Sequence, residues 1–242
     1  MDTSIGAAPR RQQSAFIRQP AQNNGSGCRF RLWRPFARRA GIPLLGGGRM
    51  RVVIAGQKWL AAEILAACIA RSYDILLAVT NPAGSFAKAA AGQGVAVSAQ
   101  IADIPPCDVI VAGHLHQYLP ATIRARAKSG VIAYHPSLLP RHRGRDAVRW
   151  AIHMREPITG GTVYRMDDGA DTGAVLAQDW CHIRPEDTAA TLWQRELAPM
   201  GVRLMMDVLG EIERGGDVAG FPQDERLATF EPGFPAAALA DI

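Results

Sequence analysis

From Met50 onward, short apolar runs alternate with stretches of helical periodicity, and few folds can satisfy that alternation. Arg51–Ala55 has the composition of a buried first strand and ends at Gly56. Lys58–Arg71 repeats apolar residues at Leu60, Ile64, Leu65 and Cys68, which predicts a helix. Strand-like runs follow at 74–79, 95–97, 108–112 and 131–133, separated by helical stretches at 85–91 and 120–128. Strands joined through helices must run parallel with right-handed crossovers. The expected fold class is therefore α/β, an open and mostly parallel twisted sheet with helices on both faces (Rossmann-like). Further on, 146–154 and 187–213 read as helices and 162–165 and 174–179 as strands. The last segment, 216–242, reads as an irregular tail packed on the domain through Phe221 and Phe230.

At the end of the 131–133 run the chain reads His135-Pro136-Ser137-Leu138-Leu139-Pro140-Arg141-His142-Arg143-Gly144. Pro136 and Pro140 each lack an N–H, so neither a helix nor a ladder continues and a loop must form. A titratable imidazole at the carboxyl end of a buried strand is where open α/β sheets place chemistry. Downstream, Asp167-Asp168-Gly169-Ala170-Asp171-Thr172-Gly173 is a polar loop able to bring one carboxylate to that imidazole. Alone, His135 reads as a structural histidine and Asp171 as a turn residue. Together they make a candidate catalytic pair.

Charge separates the chain in two. Residues 1–49 hold nine arginines against Asp2, whereas the remainder is slightly acidic. The first part reads as a disordered Arg-rich leader, a transit peptide, a basic arm or a non-native extension ahead of a start at Met50. The body, 50–215, lacks the basic surface of a nucleic-acid binder, so nucleic acid is not an expected partner. Glu63 interrupts the longest apolar run, and no membrane association is expected. Cys28, Cys68, Cys107 and Cys181 form no metal-ligand spacing and no disulfide framework. That pattern predicts a cytoplasmic protein with no metal.

The two motifs, His-Pro-Ser-Leu-Leu-Pro-x-x-Arg-Gly and Gly-x-Asp-Thr-Gly, resemble those of the folate-dependent formyltransferase family. The blocks 134–144, 167–173, 185–188, 221–223 and 228–232 are especially similar to the N-terminal hydrolase domain of 10-formyltetrahydrofolate dehydrogenases. The resemblance implies a formyltransferase N-terminal-like catalytic domain over 50–215 that takes 10-formyltetrahydrofolate as cosubstrate. Its formyl group would pass to a small amine or to water, in one-carbon metabolism. The same resemblance makes His135 and Asp171 catalytic. It places the folate pteridine between Val111, Ala112, His114, His116 and Tyr118 on one side and Arg165, Asp167, Asp168, Gly169 and Ala170 on the other. It also suggests a cis Leu139-Pro140 bond. The alternative is a non-catalytic folate-binding or regulatory module on the same fold. One departure stands out: formyltransferases carry an asparagine two residues before the histidine, and here that position is Ala133.

Other residues read more plainly. Lys58 follows a single glycine, so Ala55-Gly56-Gln57-Lys58-Trp59-Leu60 is no dinucleotide fingerprint. Ser137 sits in no nucleophile elbow and reads as a loop-fixing hydroxyl. Arg141, His142, Arg143 and Arg145 read either as a solvated basic face or as contacts to a substrate carboxylate. Trp150, Trp180 and Trp193 read as core or rim packing. The acceptor and the oligomeric state are not legible.

Overall fold

A computed structural model describes residues 48–215 and 218–234 of the chain; the expected leader, up to residue 47, and the end of the tail lie outside them. Seven strands form one sheet: β1 (Arg51–Gly56), β2 (Asp74–Val79), β3 (Val97–Ser98), β4 (Val109–Gly113), β5 (Val131–His135), β6 (Ile158–Arg165) and β7 (Val175–His182). Their spatial order is β3-β2-β1-β4-β5-β6-β7. The first five pair in parallel, while β6 runs antiparallel to β5 and β7 antiparallel to β6. The chain order thus reverses between β1 and β4, next to the strand that ends at His135.

The parallel strands are apolar on both sides because both faces are covered. One face packs α1 (Lys58–Ala70), α2 (Ser85–Gly92) and α6 (Ala198–Glu213), with Leu60, Ile64, Phe86, Leu204, Met205 and Leu209 buried against Ile54, Val111 and Ile132. The other carries α3 (Ala121–Arg124) and the loop residues Ile104 and Leu119 over Val53, Ile110, Ala112, Val131 and Ala133. Period-2 alternation sends Ile132 and Tyr134 to the first face and Val131, Ala133 and His135 to the second. Tyr134 donates to the Leu197 carbonyl at 2.7 Å. A Cβ at Gly161 would lie 2.2 Å from its hydroxyl oxygen, so only glycine lets the ring cross β6. That contact fixes β5, and with it the starting point of the His135 loop.

Several boundaries differ from the sequence expectation. The helix expected over 120–128 covers only Ala121–Arg124, because Arg126 and Ala127 bond three residues back and Gly130 turns at φ 77° into β5. The strand expected at 95–97 pairs only at Val97–Ser98, since the Val95 amide is spent capping α2 at Ala90. Strands β6 and β7 are longer than the sequence suggested, forming a hairpin of eight residues each. The stretch expected as one helix over 187–213 is α5 (Ala189–Leu192), one wide π-type turn at Trp193–Leu197, and α6. Thr188 and Thr191 cap its start reciprocally. Pro199, which has no N–H to give, follows the wide turn. The helix expected over 146–154 is α4 (Ala147–His153).

Candidate active site

His135 is the last residue of β5 and is 7% exposed. Its Nε2 lies 2.7 Å from the His142 carbonyl oxygen. A carbonyl can only accept, so Nε2 carries a proton. Its Nδ1 lies 3.5 Å from Asp171 Oδ2. The ring therefore stands between two acceptors, and only the imidazolium can donate to both.

Asp171 is held as firmly. Its Oδ1 accepts from the Tyr164 hydroxyl at 2.5 Å, and its Oδ2 accepts from the Gly144 amide at 2.8 Å. The residue sits at φ 56°, a left-handed conformation that Asp tolerates better than most. Tyr164 pairs with Ala133 across β5 and β6, which puts it on the face that carries His135. Burial, and then the Asp171 charge beside it, push the Tyr164 hydroxyl well above its ordinary pKa, so it remains a donor. Gly144, at φ 87°, turns the His-Pro loop back so that its N–H points at Asp171. A Cβ there would meet the Phe230 ring at 3.0 Å.

The loop after His135 is held by its own polar groups. The Ser137 hydroxyl donates to the Arg141 carbonyl at 2.6 Å. Thr162, fully buried on β6, donates to the Ser137 carbonyl at 2.7 Å and accepts from the Leu139 amide and the Gln178 side chain. The Leu139-Pro140 bond is cis.

The residues expected around the pteridine divide. Val111 and Ala112 are buried strand residues on opposite faces of β4. His114 and His116 follow β4 with ring centroids 4.9 Å apart, edge to face. Burial, then His116 and Lys58, lower the His114 pKa. Tyr118 is exposed, and its hydroxyl approaches Asp168 Oδ1 at 3.4 Å. Asp168 also pairs with Arg124, so the loop after β4 and the loop after β6 meet at their rims. Asp167 is spent inside its own loop, accepting from the Gly169 amide and the Thr172 hydroxyl. Gly169 and Ala170 are exposed. The Arg165 side chain reaches the Val218 carbonyl, on the far side of the sheet from His135. A cleft of about 280 Å³, lined in part by Gln57, Thr80, Asn81 and Gln117, opens at the carboxyl ends of β1 and β2.

The basic loop is neither a solvated face nor an open anion site at three of its four positions. Arg141 pairs with Glu156. His142 lies between Glu156 and Glu231, and Arg143 bonds Gln223 and Glu225. Trp150 donates to the Pro232 carbonyl, Trp193 packs against the core, and Trp180 is 38% exposed. Sequence reasoning missed Tyr164, Gly144, Thr162 and Gln178 as the site's supports. Thr162, Tyr164 and Gln178 fall inside the strands expected at 162–165 and 174–179; the pairing that sets Tyr164 beside Ala133 is what no local signal carries.

A buried histidine at a strand end, paired with a loop aspartate one strand from where an open α/β sheet reverses its order, defines an enzyme-like site of the doubly wound class. Residues 95–209 match the family model described as formyl transferase. It is 40% identical over 115 residues to the mitochondrial 10-formyltetrahydrofolate dehydrogenase of Mus musculus, covering 48% of this chain and 12% of that protein. It is 32% identical over 206 residues to methionyl-tRNA formyltransferase of Acidobacterium capsulatum, covering 76% of this chain and 65% of that one. The chain thus spans about an eighth of the dehydrogenases that it matches. Among solved structures, phosphoribosylglycinamide formyltransferase from Bacillus halodurans superposes with a TM-score of 0.60 at 24% identity, over 67% of this chain and 94% of that chain. The sugar 3N-formyl transferase WlaRD gives a TM-score of 0.67 at 19% identity, over 76% and 70%. These structures share the fold.

Proposed function

We propose that this chain takes 10-formyltetrahydrofolate as formyl donor and delivers the formyl group to water or to a small amine, with His135 and Asp171 as the catalytic pair. The observation that carries the reading is the 3.5 Å approach of His135 Nδ1 to Asp171 Oδ2, across 36 residues of chain. The similarity to 10-formyltetrahydrofolate dehydrogenases and methionyl-tRNA formyltransferase supports the choice of donor. So does the adjacency of the loops after β4 and β6, which meet at Tyr118, Arg124 and Asp168.

In the hydrolytic form, water adds to the formyl carbon while Asp171 takes its proton for later delivery to N10, and the carbonyl oxygen becomes an oxyanion. The C–N10 bond then breaks, N10 takes a proton, and tetrahydrofolate and formate leave. Transition-state charge of this kind needs a fixed positive partner in a site shielded from water. That part is assigned to His135, protonated for this step and oriented by Asp171. Asp171 accepts from Tyr164 and Gly144 and faces His135, which leaves its carboxylate a lone pair to take the proton of the attacking water or amine while it orients the ring.

Ala133 inclines the choice towards water. No amide donor is available at that position for the oxyanion, and one such donor is worth on the order of 10²–10³ in rate. Tyr164, its cross-strand neighbour, cannot substitute while its hydroxyl proton goes to Asp171. The same absence supports a second reading, a folate-binding module without turnover. We place the protein in the cytoplasm: Cys68, Cys107 and Cys181 are buried free thiols, with Cys107 pushed up to about 11 by burial and by the Asp108 charge. Among the described residues no helix is long and apolar enough to cross a membrane, and no group of side chains could hold a metal ion.

The test follows tetrahydrofolate release from 10-formyltetrahydrofolate with and without a panel of small amines. Release that ignores every amine identifies the hydrolase, and amine-dependent release identifies the transferase. Binding of a non-hydrolysable 10-formyl analogue with no release under either condition establishes the binding module instead. His135→Ala and Asp171→Asn should lose most turnover and keep analogue affinity. Near-normal turnover in either variant refutes the pair.

A further inference from the structure

The segment after α6 crosses back over the His-Pro loop and touches the supports of both members of the pair. Gln223 Nε2 donates to the Asp171 carbonyl at 2.8 Å and to the Gly173 carbonyl at 2.7 Å. Its Oε1 accepts twice from Arg143, at 3.0 and 2.8 Å, so the amide is oriented from both ends. Eight residues later, Glu231 Oε2 lies 3.1 Å from Nδ1 of His142, while Glu156 Oε1 lies 3.1 Å from Nε2 of the same ring. His142 is 1% exposed and sits at φ 54°. Its amide donates to the Thr229 hydroxyl at 2.8 Å, and its carbonyl takes the His135 Nε2 proton.

Burying an imidazole between two carboxylates costs free energy that only pairing and hydrogen bonds offset. The two contacts are ion-pair contacts rather than aligned hydrogen bonds: both ring nitrogens and Glu231 Oε2 are buried without a well-directed partner. The carboxylates stand at opposite nitrogens, so the three groups cannot converge on one metal ion. Arg141, from the same loop as His142, pairs with Glu156. The cluster holds the backbone at His142, and that backbone carries the acceptor for His135.

We propose that Gln223 and Glu231 are positioning residues for the catalytic pair, Gln223 setting Asp171 through its carbonyl and Glu231 setting His135 through His142. The proposal rests on the assignment of His135 and Asp171 as that pair. Neither residue touches the reacting atoms. Each fixes a backbone carbonyl one step removed, and a displacement near 1 Å at a catalytic group costs about 10²-fold in rate.

Four variants test it in the full chain: Gln223→Ala, Gln223→Glu, Glu231→Ala and Glu231→Gln. Gln223→Glu keeps volume and the Arg143 contact but sets oxygen against two carbonyls. Glu231→Gln keeps shape and removes charge. The first readout needs no substrate: the ¹⁵N and ¹H resonances of the His135 ring, assigned by their loss in His135→Ala. The expected result is that these resonances shift in Glu231→Ala, less in Glu231→Gln, and that Gln223→Glu moves the Nδ1 signal facing Asp171. The second is the split between kcat and KM for 10-formyltetrahydrofolate, with kcat down about 10²-fold in Gln223→Glu and Glu231→Ala, KM within about twofold, and melting temperature followed in parallel. Unchanged His135 resonances in all four folded variants overturn the proposal, whether or not the wild-type chain turns over this donor. A kcat loss that merely tracks the loss of melting temperature also overturns it. Absence of turnover in the wild type, with resonances shifted as expected, refutes the function proposed above and leaves the positioning role standing.

Discussion

Tyr164 donates its hydroxyl proton to Asp171 Oδ1 at 2.5 Å from inside the sheet, while the Gly144 amide holds the other oxygen, so the carboxylate is aimed from two sides. Tyr164 is 4% exposed, and the acceptor is charged. A buried hydrogen bond to a charged acceptor contributes about 1.5–3 kcal/mol. Tyr164→Phe keeps the ring and removes only the proton. The expected outcome is a kcat at least roughly tenfold lower, with a loss of about 1.5–3 kcal/mol in unfolding free energy. Steady-state kinetics together with urea denaturation check it. Wild-type kcat in a stably folded variant would show that Gly144 alone suffices to aim Asp171.

Ala133 offers a gain-of-function test. It is 5% exposed, directly precedes Tyr134 on β5, and lies on the His135 face opposite Tyr164. Ala133→Asn would supply the missing amide donor. Amine-dependent transfer is expected to rise, by up to on the order of 10²–10³ if the amide reaches the oxyanion. The rate with water alone should change less. The measurement is formylated amine formed per tetrahydrofolate released, compared with wild type. A fall in both rates would show that the asparagine displaces Tyr164 instead of meeting the substrate.

Most of the sheet was legible because the parallel strands are apolar throughout and the helices between them keep period 3.6. His135 and Asp171 were legible as a pair only because two motifs bracket them. What holds that pair was not. Thr162, Tyr164 and Gln178 lie in strands that were expected, but which groups they face follows from pairing with β5, and pairing is a tertiary property. The loop charges misled for a related reason. Arg141 and Arg143 are partnered by Glu156 and Glu225, and the second of these is 82 residues away. Nothing local distinguishes such an arginine from one facing solvent. The helix expected over 120–128 failed at its end, where Gly130 at φ 77° imposes a turn that propensity does not foresee.

Asp108 predicts a pH dependence of stability with a definite sign. Burial by itself would raise its pKa. The Lys128 ammonium at 2.8 Å, the Arg51 backbone N–H at 2.8 Å and the Arg51 charge outweigh that effect and hold the carboxyl below its ordinary value of 3.8. A carboxyl whose folded pKa is depressed stabilises the fold above its unfolded pKa. That contribution is lost as pH falls through the folded pKa. Asp108→Asn should therefore be less stable than wild type at neutral pH by about 1–2 kcal/mol, a figure lowered by the solvent exposure of Lys128. The gap should close as pH drops below about 4. Urea denaturation of both proteins across that range checks it, and a gap that stays constant with pH would show that the contribution comes from packing.

Thr162 is the last support to test, because its single hydroxyl serves three partners. It donates to the Ser137 carbonyl at 2.7 Å and accepts from the Leu139 amide at 3.2 Å and from Gln178 Nε2 at 2.8 Å, with no exposure to solvent. Thr162→Val preserves shape and leaves a buried carbonyl and a buried amide without that partner, which costs on the order of 2–4 kcal/mol. Gln178 also donates to the Leu139 carbonyl at 3.0 Å, so the loop keeps one tether. The chain should then fold with a lowered melting temperature and a loosened His-Pro loop. Hydrogen exchange should show faster exchange at Ser137 and Leu139, with β1 and β4 unchanged. Turnover should fall through kcat, because the loop carries the His142 carbonyl that holds His135. Unaltered exchange at Leu139 would mean that Ser137 and its bond to Arg141 hold the loop without help from the sheet.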